Sequence, residues 1–225
     1  PTRRSSDLVR FMDTNVKEAN KVRIETVIKG LEKRNITGHY CETAADAVKT
    51  IESLIAEGSQ VSWGGSATLN EIGIKDVLKA GNYDVNDPMD PSVGRDESTM
   101  RRKKALTCDA FLASLNAITM DGEIVNVDGT GNRIAAIAFG PDKVILVAGV
   151  NKIVNEEKDA IGRILTDACP PNCIRLGKKT PCAVTGKCGD CLSVGNTICS
   201  YTVVTRFSPE PDRLHVVMVN EVLGY

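Results

Sequence analysis

The chain of 225 residues lacks an excess of either charge: 28 Lys and Arg face 29 Asp and Glu, a formal net charge of -1. Nucleic-acid binding and polybasic attachment to a membrane surface both need a concentrated positive field, so neither is expected. No apolar run approaches the roughly 20 residues of a membrane-spanning helix, and the sequence reads as a soluble protein with no membrane partner. The P-loop lysine pattern is missing, as is the G-x-G-x-x-G fingerprint of dinucleotide-binding folds. A nucleoside triphosphatase or a conventional nicotinamide dehydrogenase is therefore not expected. Internal repeats and low-complexity linkers are also absent. Histidine is scarce: His39 and His215 lie in strand-like segments and are read as structural.

What is present is enough apolar residue, 42% of the chain, to bury one sizeable core. Residues 1–11 read as a disordered or non-native segment, followed by one α/β domain over 12–225. Asp13 or Thr14 can cap a helix running to Leu31, and Thr43 a second one that Gly58 stops. Thr68-Leu-Asn-Glu71 has capping-box spacing at the start of a third. Further helices are expected over Asp96–Cys108, Asn132–Phe139 and Asn151–Ala168, the last ended by Pro170-Pro171. Strands are expected at Ile36–Cys41, Gln60–Trp63, Asn82–Asp87, Phe111–Thr119, Glu123–Val127, Lys143–Ala148, Tyr201–Phe207 and Leu214–Val219. Short strands alternating with helices point to a mostly parallel sheet covered by helices on both faces, with a Cys-rich extension at the C-terminal end. The tetrad Arg101–Lys104 reads as a solvated helix face. Trp63 is either a pocket wall or core packing.

Cys182, Cys188, Cys191 and Cys199 follow a C-x5-C-x2-C-x7-C pattern with Gly186, Gly189 and Gly195 among them. Four thiolates on a glycine-rich loop can converge on one point. An iron–sulfur cluster, of the 4Fe-4S kind, is the favoured ligand; a structural zinc and disulfides are the alternatives. Cys169 and Cys173, which bracket Pro170-Pro171 at the start of a Cys loop spanning 169–199, could join the cluster or bind separately, and are read as adjacent thiols that ligate nothing. Cys41 and Cys108 stand alone, as buried free thiols do in reducing compartments, which suggests a cytoplasmic protein.

Two glycine-rich loops each follow a strand and open a helix, a geometry that offers backbone N–H groups to an anion. One is Gly64-Gly65-Ser66 with Thr68; the other is Gly129-Thr130-Gly131-Asn132-Arg133. Arg133 offers a fork for carboxylate or phosphate. The plainer alternative for both is a tight, capped turn. Asp121, Glu123 and Asp128 lie close together in sequence and are candidates for a catalytic base, though acidic residues in turns commonly form Asx turns instead.

With these residues in view, the sequence resembles the lactate-utilisation (LUD) domain family. The resemblance rests on Gly64–Gly73, on Asn116–Asn126 running through Asp128–Arg133, on Lys143–Val154, on Thr180-Pro181-Cys182 with its partner cysteines, and on Val219–Tyr225. Where better-known lactate-operon members carry a Thr-Gly-Thr-like turn, this chain has Met120-Asp121-Gly122-Glu123, and it looks like a distinct, cysteine-bearing branch. The resemblance implies a fold like that of ribose-phosphate isomerases, glucosamine-phosphate deaminases and CoA transferases, with Gly64–Thr68 facing a substrate's anionic group. It also implies part of an oxidoreductase complex acting on L-lactate or a similar 2-hydroxy acid, with iron–sulfur or flavin partner subunits. An isomerase or acyl/CoA-transferase-like enzyme with a structural metal, or a metabolite-binding regulatory module, are the alternatives. A homodimer is the default assembly.

Overall fold

The computed structural model describes residues 13–225; the segment over 1–11 expected to be disordered or non-native lies outside them. The chain begins with α1 (Thr14–Lys33), whose N-cap Asp13 accepts a hydrogen bond from the Asn15 amide. Then come β1 (Thr37–Cys41), α2 (Ala44–Leu54), β2 (Gln60–Trp63), α3 (Ala67–Glu71), α4 (Ile74–Ala80), β3 (Asp84–Asn86) and α5 (Arg95–Lys104). The middle of the chain supplies β4 (Ala110–Ser114), β5 (Ala117–Thr119), β6 (Ile124–Asp128), α6 (Asn132–Ala138), β7 (Lys143–Gly149) and β8 (Ile153–Val154). It closes with α7 (Glu157–Arg163), α8 (Cys169–Arg175), α9 (Pro181–Thr185), β9 (Tyr201–Thr205) and β10 (Leu214–Val219).

Six strands form one sheet in the order β1-β10-β7-β4-β2-β3, every neighbouring pair parallel. Because side chains alternate across a strand, β7 feeds two cores. Val144, Leu146 and Ala148 pack with Ile24, Val27 and Leu31 of α1 and Ala136 and Ile137 of α6. Ile145 and Val147 pack on the other face with Ile51 of α2, Leu69 of α3 and Leu78 of α4. Helices thus cover both faces, as the buried strands required. Trp63 is core: it is buried, and its indole N–H donates to Asp87 Oδ1 at 2.9 Å. His39 and His215 are neighbours in β1 and β10, ring nitrogens 3.1 Å apart.

Besides the helix expected from Asn151, which gives way to β8 at Ile153–Val154 and starts only at Glu157, three expectations need correction. The strand expected over Phe111–Thr119 is two strands. The chain leaves the main sheet after Ser114 and joins a second sheet, ordered β8-β5-β6-β9. Two guanidinium groups hold the crossing: Arg133 donates to Ser114 O at 2.9 Å and Arg163 to Asn116 O at 2.6 Å. Those carbonyls are thereby satisfied without a ladder partner. Second, Pro170-Pro171 opens α8 rather than ending the preceding helix, since a first-turn proline lacks only an N–H that has no intrahelical partner there. Third, Ser66 caps α3, accepting from the Leu69 amide at 3.1 Å, which leaves the Thr68 hydroxyl for another partner.

Candidate functional site

Three adjacent parallel strands, β2, β4 and β7, deliver one polar side chain each just beyond their carboxyl ends, where open α/β sheets bind ligands. Thr68 follows β2, Ser114 ends β4 and Lys152 follows β7. The Lys152 ammonium, buried, donates to Ser114 Oγ at 2.7 Å and to Thr68 Oγ1 at 3.0 Å. The Ser114 hydroxyl in turn donates to Val147 O at 2.7 Å, so it is oriented to accept from the lysine. Among the described residues no carboxylate lies within ion-pair distance of Lys152. Burial, then the positive charges of Arg163 and Arg133, push its pKa from the ordinary 10.5 down to about 7, against a weaker opposing pull from Glu71. A buried cation without a counter-ion costs several kcal/mol; an anionic ligand would offset that cost.

Lys152 lies at the floor of a cleft of about 840 Å³. Gly65, Ser66 and Thr68 line one wall and Gly129, Thr130, Asn132 and Arg133 another, so the two loops singled out in the sequence face a common space. Gly64 sits behind the first wall, its α-carbon side against Arg133 and Phe111. Gly131 belongs to an adjoining cavity. The helices these loops open are only five and seven residues long, so the positive field in the cleft comes from side chains more than from helix dipoles. Tyr225 also lines the cleft, and its buried hydroxyl has no hydrogen-bond partner among the described residues.

Arg133 is not the free anion fork the sequence suggested. Its guanidinium donates to Ser114 O, to Asn116 Oδ1 at 2.7 Å and to Val127 O at 2.7 Å, with Asp128 Oδ2 3.6 Å from Nε. It ties the two sheets together beneath the ligand space. Arg133→Met would strand three acceptors and leave Asp128 without its cation. A loss of about 3 kcal/mol or more is expected, readable as a lowered midpoint in denaturant unfolding.

The three acidic candidates do not come together. Asp128 lines the cleft and also accepts from the backbone amides of Thr130 and Ile134. Asp121 and Glu123 occupy the turn at the other end of β6; five residues of strand at about 3.3 Å each put Glu123 roughly 17 Å from Asp128. Glu123 pairs with Arg34 at 3.2 Å and Arg206 at 3.7 Å, and Asp121 O accepts from Arg34 at 2.7 Å. Glu123→Gln is expected to lower stability by about 0.5–1 kcal/mol without altering ligand binding in the cleft, measured by denaturation and titration side by side.

The C-terminal thiols form two contacts. Cys169 and Cys199 have their sulfurs 3.2 Å apart, Cys173 and Cys182 3.7 Å. The contact between the Cys169 and Cys199 thiols lowers the pKa of Cys199 to about 7 and raises that of Cys169. Cys188 accepts from the Asp190 amide and Cys191 lies 3.8 Å from the Thr197 hydroxyl; neither touches another sulfur. Of the four cysteines marked by spacing, Cys182 and Cys199 therefore meet Cys173 and Cys169 instead of one another. Among the described residues no three His, Cys, Asp or Glu side chains converge in a way that would hold an ion. The donor set is all thiol, which suits a soft metal; its closest contacts are two pairs, and the pairs are near enough that Cys173 and Cys182 also raise the pKa of Cys169. The lobe that carries it borders the cleft through Ala168, Asn172 and residues 193–198, with the Ile198 backbone packed on Gly129. Cys41 and Cys108 are buried and free.

A family model for the LUD domain matches residues 24–219, most of the chain. The chain belongs to the LUD-domain family. This LUD domain is similar to a solved DUF162 family protein from Deinococcus radiodurans, with 16% identity over 90% of this chain and 98% of that one and a TM-score of 0.48. It is also similar to eIF2B delta from Chaetomium thermophilum, with 17% identity over 65% and 67% of the two chains and a TM-score of 0.34. No curated protein matches the LUD chain. No described helix in it is long and apolar enough to cross a membrane.

Sequence reasoning about the LUD domain missed Lys152, Ser114 and Tyr225. One signal was available for the lysine. Gly149-Val-Asn-Lys152-Ile-Val154 places a single cation in the apolar continuation of a buried strand, where lysine is seldom found.

Proposed function

We propose that this LUD domain acts in the use of L-lactate or a similar small 2-hydroxy acid, with the acid's carboxylate seated against Lys152. The single observation that supports this reading is the buried ammonium that has two hydroxyl acceptors and, among the described residues, no carboxylate partner. Ser114 and Thr68 hold Nζ at the cleft floor, and Tyr225 offers an unengaged hydroxyl to a substrate oxygen. With its pKa near 7, Lys152 can receive a proton as the anion binds, or release it when the anion leaves.

The domain is read as the iron–sulfur component of a redox system, with the hydride accepted by a flavin-bearing partner subunit and the electrons passed on singly through iron–sulfur centres. A cluster would supply one-electron transfer. Cys182 and Cys199 belong both to the spacing motif and to the sulfur contacts, and are the first choices as ligands; Cys169, Cys173, Cys188 and Cys191 compete for the remaining places. Protein purified without oxygen is expected to show iron by metal analysis and a broad visible absorbance that fades on reduction. Colourless protein with one zinc would move the reading to a structural metal, and metal-free protein would remove the cluster from it. Titration with pyruvate and L-lactate tests the cleft separately.

A further inference from the structure

A three-carbon acid has the bulk of a few waters at about 30 Å³ each, and it fills only a corner of a cleft of about 840 Å³. Beyond the Thr130–Asn132 turn the cleft adjoins a second cavity of about 810 Å³. The two share Arg95, Arg102, Thr130 and Asn132 in their walls. The combined space is of the size that takes a cofactor-sized molecule.

The chemistry of the second cavity differs from that around Lys152. Leu106, Ile134, Ala138 and Val203 give it apolar walls, and Tyr201 adds a half-exposed ring that packs over Gly131. At its mouth stand Arg95 and Arg102, seven residues apart on α5 and hence on one face of that helix. Among the described residues neither forms an ion pair, whereas Arg101 on the same helix pairs with Glu97 and Asp90. Two uncommitted guanidinium groups beside a flat apolar slot form a complementary surface for an anionic group joined to a ring. Paired arginines match the oxygens of phosphate, and a tyrosine face stacks on a planar ring.

We propose that the cleft has a second subsite for a ring-bearing phosphate ester, of the class of nucleotides and flavin phosphates. Its phosphate lies on Arg95 and Arg102, and its ring lies in the slot walled by Tyr201, Val203 and Ile134. The subsite rests on the same cleft as the carboxylate reading but on different residues. The ligand would extend from the outer cavity toward Lys152, leaving the inner corner for the small acid.

Calorimetric titration of the full chain with ADP and, separately, with FMN tests the subsite, with inorganic phosphate as the ring-free probe. At least one of the two ring-bearing ligands is expected to bind at least tenfold more tightly than phosphate. The double variant Arg95→Ala/Arg102→Ala is expected to weaken that binding by roughly 10- to 100-fold, and Tyr201→Ala by roughly 3- to 10-fold. Both sites lie on the surface, and circular dichroism checks that the variants fold. Failure of both ligands to bind, binding no tighter than phosphate, or affinity unchanged in the double variant would overturn the proposal. Pyruvate is titrated into wild-type protein in the same series, so the failure of one reading is distinguishable from the failure of the other.

Discussion

Lys152→Met is expected to weaken pyruvate binding by roughly 10- to 100-fold while leaving the fold as stable as wild type or more so. The two effects have one cause. A fall in pKa from 10.5 to about 7 corresponds to on the order of 5 kcal/mol of disfavour for the buried charged form. The sign follows from proton counting. Between about pH 7 and 10.5 the unfolded chain holds the lysine proton and the folded chain does not, so stability from this group rises with pH across that window. Below about pH 7 both states are protonated and the folded state bears the whole penalty. Methionine removes it at similar length. The hydroxyls of Ser114 and Thr68 lose a donor in the variant but keep the acceptors Val147 O and Leu223 O. Denaturant unfolding at about pH 6 should therefore show the variant no less stable than wild type, and calorimetry should show the loss of affinity. A variant that unfolds more easily and binds equally well would mark Lys152 as structural.

Gly30→Ala is expected to lower stability by about 2–4 kcal/mol. A β-carbon at Gly30 would lie 2.4 Å from the Asp121 carbonyl carbon and 2.9 Å from the Gly122 amide nitrogen. Gly122 returns the constraint: its own β-carbon would lie 2.5 Å from the Leu31 amide nitrogen, and its φ is +84°. Backbone meets backbone on both sides, so no side chain can swing away to relieve the clash. The segment Asp121–Glu123, a catalytic candidate by sequence, is thus the joint at which the second sheet seats on α1. Thermal unfolding of Gly30→Ala alongside pyruvate binding separates the roles. The expected outcome is a lowered transition with binding intact in the protein that remains folded.

The alternation of strands and helices was legible because the inner strands of the main sheet, β2, β4, β7 and β10, are buried on both faces, which leaves an apolar run that short strands and glycine stops make plain. The two glycine loops were legible for the same reason: each follows a buried strand. The split of Phe111–Thr119 was not, because it depends on Arg133 and Arg163 reaching carbonyls from distant elements. The same long-range contacts explain why Arg133 looked available as an anion fork and is not. The spacing of Asp121, Glu123 and Asp128 suggested one cluster, yet a strand lies between them and holds them apart. Lys152 was overlooked because its burial arises only when β2, β4 and β7 stand side by side. Cysteine spacing singled out Cys182 and Cys199, and the thiols that approach them are Cys173 and Cys169, which stand outside the spacing pattern.

The account depends most on the idea that the Lys152 ammonium receives a ligand's negative charge. Pyruvate binding measured calorimetrically at about pH 6 and pH 8, each in two buffers of different ionisation enthalpy, tests this directly. The lysine is half or more neutral at the higher pH in the free protein and charged once the anion is bound. Proton uptake close to one per site is expected at about pH 8 and little at about pH 6, with weaker affinity at the higher pH. Binding with no proton uptake at either pH, or with the same uptake in Lys152→Met, would contradict it.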